Sequence, residues 1–139
     1  MRILLLIWLT MFSSYVIALP KECEVFNPKL INAIIAVESN GDHEAVSSEN
    51  ALGLMQIKYE TAKCMGFKGK KTDLHKPQVN LKYGCMYLYQ MYTEQHRDIY
   101  KALDAYSRGP TQVRDHPYKG KWSKHPYIKK IKDRLKETK

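Results

Sequence analysis

Of the 14 acidic residues in this chain, Glu38 is the one whose setting suits chemistry. Ile35, Ile34 and Ile31 stand three, four and seven residues before it. A helix through this segment therefore carries the Glu38 carboxylate on its apolar face. Asn40-Gly41 stops the helix just beyond it, and the C-terminal pole of a helix is negative. Burial and the dipole both disfavour the charged form. Both favour a carboxylic acid that stays protonated near neutral pH, as protonation of a glycosidic oxygen requires. Position alone favours a plainer glutamate that turns to solvent or meets a lysine; the surrounding sequence reverses that balance. The histidines, at 43, 75, 96, 116 and 125, do not pair with cysteine or carboxylate at a metal-ligand spacing, and no phosphate-binding glycine loop occurs. Neither a metal nor another cofactor is expected.

The elements that must position Glu38 read as helices. Asn27-Pro28 is a start signal, and Leu30, Ile31, Ile34, Ile35 and Val37 follow at helical spacing. Residues 42–57 are rich in Ser, Asn and Gly, which predicts an irregular stretch or a small hairpin. A short helix is expected over Glu60 to Met65, and a loop from Gly69 to Lys76. A longer helix follows Pro77, with Leu81, Cys85, Leu88 and Tyr92 on one stripe. Asp98 caps the next, whose stripe is Ile99, Ala102, Leu103 and Tyr106, and Gly109-Pro110 breaks it. Residues 111–126 read as a packed loop. A last helix starts near Tyr127, with Ile128, Ile131 and Leu135 inward. The fold class is mainly α, in one domain, since 139 residues are too few for two cores.

The chain opens with Arg2, an apolar run from Ile3 to Phe12, and Val16-Ile17-Ala18 as a small-residue cleavage site. Residues 1–18 are expected to be a secretory signal peptide, with residues 19–139 as the domain; an uncleaved anchor is the alternative. Export implies a periplasmic, envelope or extracellular setting that oxidises thiols. Cys23, Cys64 and Cys85 allow at most one internal bridge. The formal charge is +9, which favours an anionic partner, and export argues against nucleic acid. Ten basic and three acidic residues between Arg114 and Lys139 give that segment +7.

Glu38-Ser39, then Ala51-Leu52-Gly53-Leu54-Met55-Gln56-Ile57, Thr61-Ala62 and Ala105-Tyr106-Ser107-Arg108-Gly109-Pro110 occur in an order that resembles the soluble lytic transglycosylase (SLT) domain. That family is a lysozyme-like group, glycoside hydrolase family 23, related to goose-type lysozyme. Pro77, Asn80, Gly84, Tyr87 and Leu88 match its central pattern, and Tyr127, Ile128 and Ile131 resemble its closing helix. The resemblance spans roughly residues 24–133. It implies a lysozyme-like single helical domain, with the irregular or hairpin segment after the catalytic helix. It implies that Glu38 is the sole catalytic acid and base. Ser47 then corresponds to a hydroxyl near the catalytic pocket, Gly53 and Met55 to the segment lining the cleft, and Gln56 to a sugar contact. Tyr87 and Tyr106 correspond to tyrosines at the floor, the second within hydrogen-bond reach of the catalytic carboxyl. Read as residues alone, Ser47 equally fits a turn cap, Met55 a core side chain and Tyr87 a packing residue. Ser107 stands where the family usually has Asn, and Lys58 where it often has Met. Two helices that are neighbours in that fold carry Cys64 and Cys85, which implies that these two form the bridge.

The activity implied is cleavage of the bond between N-acetylmuramic acid and N-acetylglucosamine in peptidoglycan, leaving a 1,6-anhydro end. The implied partner is the glycan strand, with a cell-envelope-spanning machine as a candidate user, and the chain is expected to be a monomer. Hydrolysis of the same bond by a lysozyme-type muramidase is the second reading. A non-catalytic wall-binding module is the third, and retention of a carboxylate on an apolar stripe argues against it.

Overall fold

The computed structural model describes residues 18–110, 118 and 120–137. All but Ala18 of the leader expected over residues 1–18, and much of the proline-bearing loop, lie outside the described residues. Helix α1 runs over Pro28–Glu38, opened by the Asn27 side chain, which accepts from the Lys29 backbone N–H at 2.9 Å. Beyond its end, Asn40 and Gly41 both adopt positive φ, 53° and 80°, which turns the chain away as the sequence predicts.

The irregular stretch contains a hairpin. Strands β1 (Ala51–Leu52) and β2 (Ile57–Lys58) pair antiparallel, Ala51 opposite Lys58 and Leu52 opposite Ile57. Helix α2 (Tyr59–Cys64) follows directly. The predicted loop after it contains a 3-10 turn over Lys71–His75, closed by the Asp73 carboxylate accepting from the Lys70 N–H at 2.9 Å. Helix α3 is Pro77–Glu94, and α4 is Ile99–Arg108 with Asp98 as its N-cap. Helix α5 spans Pro126–Glu137.

Helix α3 packs on α4, and α1 on α5. Ile31, Ile34, Leu81, Leu88, Met91, Leu103, Ile128 and Ile131 are buried in the core between them. Leu135 packs at its edge. A smaller core of Leu52, Ile57, Ala62, Phe67 and Leu74 lies under the hairpin and α2. The mainly helical architecture and the hairpin after α1 agree with the sequence reading. Among the described residues, no helix is long and apolar enough to cross a membrane.

The expected Cys64–Cys85 bridge is corrected. Cys85 is joined to Cys23, with Cα atoms 5.1 Å apart, and Cys64 is free and exposed. Cys85 lies on the buried stripe of α3, facing the 3-10 turn Lys21–Cys23 that packs on that helix. Cys64 ends α2 on the solvent side.

Candidate active site

Two side chains fix the segment between β1 and β2 against the helices. Ser39, next to Glu38, donates from Oγ to the Leu54 carbonyl at 2.8 Å, tying the end of α1 to the hairpin. Asn80 of α3 is fully buried and makes three bonds, two to the hairpin and one to the 3-10 turn at Lys71–His75. Its Nδ2 donates to the carbonyls of Leu52 and Leu74, both at 2.7 Å, and its Oδ1 accepts from Met55 N–H at 2.8 Å. Gly53 adopts φ +71°, and a β-carbon there would strike the Asn80 amide. Gly84 lets α3 approach Met55, whose Sδ would lie 2.6 Å from an added β-carbon. The motif glycines thus serve close approach.

The braced hairpin and the helix ends enclose a cleft of about 650 Å³. Glu38 enters it from α1, and Ser47, Glu49, Ala51 and Gln56 to Lys58 from the hairpin side. Thr61, Tyr87, Tyr106, Ser107, Arg108 and Gly109 complete its walls. Of the expected site residues, Glu38, Ser47, Gln56, Tyr87 and Tyr106 therefore meet at one cleft. Gly53 and Met55 do not line it. Both are buried behind it, Met55 with no exposure, so the expectation for them is corrected: they support the cleft wall from within. Ser47 accepts from Glu49 and Ala51 N–H at 3.2 and 3.0 Å, the turn-capping arrangement, while lying at the cleft edge. Gln56, at φ 51°, donates from Nε2 to the carbonyls of Gly53 and Ala45 at 3.0 and 3.3 Å. Its amide nitrogen holds the loop.

Glu38 is half-buried, and its Oε1 accepts from the Tyr127 hydroxyl at 2.6 Å. Burial pushes its carboxyl above the ordinary 4.5; the Tyr127 bond and the charge of Lys130 pull back. The implied partner of Glu38, Tyr106, instead donates to the Met55 carbonyl at 2.6 Å. That carbonyl lies in the buried turn outside the strand pairing, and Tyr106 supplies its donor. Burial, then the charge of Glu38, holds the Tyr106 and Tyr127 hydroxyls well above the usual tyrosine range, so both remain donors. Tyr87 lies 5.3 Å from Tyr106, ring centre to ring centre. At the lip, Lys58 meets Glu49 at 2.8 Å in an exposed pair. The hydrogen bond from Lys58 keeps Glu49 below the usual carboxylate range.

Sequence reasoning missed Tyr127 as the partner of Glu38. Helix α5, within the basic C-terminal segment, delivers both Tyr127 and the charge of Lys130. The readable signal was a tyrosine one residue from the buried Ile128, whose hydroxyl needs a partner.

Among proteins of known kind, the chain is similar to the endo-type membrane-bound lytic murein transglycosylases A of Salmonella paratyphi B and Salmonella paratyphi A. Each is 45% identical over 69 residues, covering 45% of this chain and 34% of the relative. The matched region is about a third of those relatives' length. Its structure resembles an inactive mutant of the lytic transglycosylase Slt from Pseudomonas aeruginosa, with a TM-score of 0.69 at 24% identity. That match covers 82% of this chain and 22% of the other. It also resembles the 70 kDa soluble lytic transglycosylase from Escherichia coli, with a TM-score of 0.67 at 22% identity over 79% of this chain and 21% of the other. At those identities the likeness speaks to the fold. A family model described as the transglycosylase SLT domain matches residues 17–130, and the chain belongs to that family.

Proposed function

We propose that this chain cleaves the β-1,4 bond between N-acetylmuramic acid and N-acetylglucosamine in peptidoglycan, leaving a 1,6-anhydro end. One observation carries the reading: a carboxyl raised by burial, Glu38, faces the cleft and is held there by Tyr127. The relatives' names, lytic murein transglycosylase, support the substrate. Glu38 as acid protonates the glycosidic oxygen, and the bond from carbon 1 to that oxygen breaks. Glu38 as base then takes the proton of the 6-hydroxyl, whose oxygen closes on carbon 1. One proton leaves Glu38 and one returns, and no water is consumed. Tyr127, donating to Oε1, leaves Oε2 to face the sugar. Gln56, Tyr87 and Tyr106 are proposed to contact the glycan. We place the protein in the cell envelope after export, in keeping with its predicted leader and its membrane-bound relatives.

Glu38→Gln is expected to abolish release of soluble fragments from purified peptidoglycan while the chain still binds it. The proposal fails if the variant stays active. Hydrolysis is the second reading, because Glu49 also lines the cleft and is held ionised by Lys58, a state that suits a base for water. Mass spectra separate the two: the anhydro product is lighter by one water. Glu49→Gln should leave the anhydro product unchanged, whereas a hydrolysed product made by the unmodified chain and lost on this substitution would favour hydrolysis.

A further inference from the structure

Away from Glu38, the molecule buries a second carboxylate. Asp104, in α4, has no exposure, and His125, just before α5, has 4%. Asp104 Oδ1 receives His125 Nε2 at 2.9 Å and Arg108 Nε at 2.6 Å, and its Oδ2 receives Arg108 Nη2 at 2.8 Å. The Ile128 backbone N–H points at His125 Nδ1, 3.4 Å away. An N–H only donates, so Nδ1 accepts and the ring proton sits on Nε2, toward Asp104.

A buried ionic cluster is a poor way to glue two helices, because desolvation offsets most of the attraction. Leu103, Ala105, Ile128 and Ile131 already supply an apolar contact there. What the cluster adds is direction. Two residues beyond His125, Tyr127 meets Glu38. At the other end of the cluster, Arg108 lines the cleft.

We propose that Asp104 is a positioning residue for the acid–base step: through His125 it fixes the first turn of α5 so that Tyr127 meets Glu38, and through Arg108 it fixes a wall of the cleft. This rests on the reading of Glu38 as the acid–base group. Among the described residues, the charged and titratable groups around Glu38 are Tyr127 and Lys130 of α5, Tyr106 and Arg108 of α4, Tyr87 of α3, and Glu49 and Lys58 of the hairpin. Two effects of removing the Asp104 charge oppose each other. Loss of a negative charge, acting through space alone, moves the Glu38 titration down. Loss of the Tyr127 bond, which lowers it, moves the titration up. The sign therefore distinguishes positioning from simple electrostatics.

The test follows Glu38 by carbon-13 NMR across pH in the full chain, for the unmodified protein, Asp104→Asn, Tyr127→Phe and the double variant. Asp104→Asn is expected to move the titration upward by on the order of half a pH unit, as Tyr127→Phe does. The double variant should show no additional shift. Turnover should fall roughly tenfold in kcat, with KM rising as the hold of Asp104 on the Arg108 wall is lost. An unchanged or downward titration in a folded Asp104→Asn protein overturns the proposal, as do additive shifts. If Asp104→Asn does not fold, His125→Phe, which keeps the Asp104–Arg108 pair, is read by the same criteria. If the unmodified chain releases no glycan fragments, the functional reading falls, and the titration still decides the role of Asp104.

Discussion

At the scale of the residue, Glu38 was legible because its neighbours at i−3, i−4 and i−7 are isoleucines, and helix geometry alone puts it among them. Tyr127 was not, because it reaches Glu38 across 89 residues of chain and local periodicity carries no information at that range. The raised carboxyl has a consequence for stability. A group whose folded pKa lies above its unfolded value contributes stability that is present below the unfolded pKa, near 4.5. That contribution is lost as pH rises through the folded pKa. Glutamine keeps the acceptor for Tyr127 and does not titrate. Glu38→Gln should therefore melt higher than the unmodified chain at pH 7, by less than about 1 kcal/mol in stability, with the difference shrinking toward pH 4. Thermal melts across that range check it, and a melting temperature lowered at pH 7 would contradict the burial of the charge.

At the scale of the element, boundaries carried by punctuation were readable: Asn27-Pro28 opens α1, Asp98 caps α4, and Gly109, at φ 95°, ends it. The 3-10 turn at Lys71–His75 was not, since its sequence is polar and its order comes from Asp73 reaching back to the Lys70 N–H. The hairpin was readable only as a break in periodicity. Strands of two residues each do not hold themselves, and the brace is Asn80, a polar residue on an otherwise apolar stripe of α3. The family pattern contained that asparagine, but only the fold shows what it binds. Asn80→Leu keeps the approximate volume and leaves the Met55 N–H and the Leu52 and Leu74 carbonyls without their buried partner. The expected cost is on the order of 3 kcal/mol, with the hairpin amides losing hydrogen-exchange protection before those of α3. Equal loss throughout the chain would show that Asn80 supports the whole core rather than the cleft wall.

At the scale of the whole molecule, the Cys23–Cys85 bridge joins the segment ahead of α1 to α3 across 62 residues. Closing a loop of that length is worth on the order of 4 kcal/mol in the chain-entropy account. Cys23→Ser should lower denaturant stability accordingly, Cys64→Ser should leave it unchanged, and unreduced peptide maps should link the Cys23 and Cys85 peptides. The pairing was beyond the sequence because it depends on which face of α3 meets the N-terminal turn. The charge distribution poses a different question. The residues from Arg114 onward carry +7 of the chain's +9, and α5 presents part of that charge on the face opposite Ile128 and Ile131. Lys130 belongs to the site, because its charge acts on Glu38. Lys132 lies 4.7 Å from the centre of the Tyr100 ring. Lys129 and Lys136 are exposed, and their only close anion is Asp133, at 3.8 and 3.5 Å, among the described residues. Exposed pairs of this kind are weak, so these side chains stay available to a negatively charged polymer. Lys124, just before α5, is exposed as well, and replacing Lys124, Lys129 and Lys136 with glutamine should weaken pelleting with insoluble peptidoglycan at low salt. The deficit should vanish near physiological ionic strength and above, where exposed charges are screened beyond about 8 Å. Activity on short soluble glycan fragments should be unaffected, because none of the three touches the cleft. Unchanged pelleting at low salt would leave this face with no part in wall binding, whereas activity lost on the short fragments would mean that α5 shapes the cleft through more than Tyr127 and Lys130.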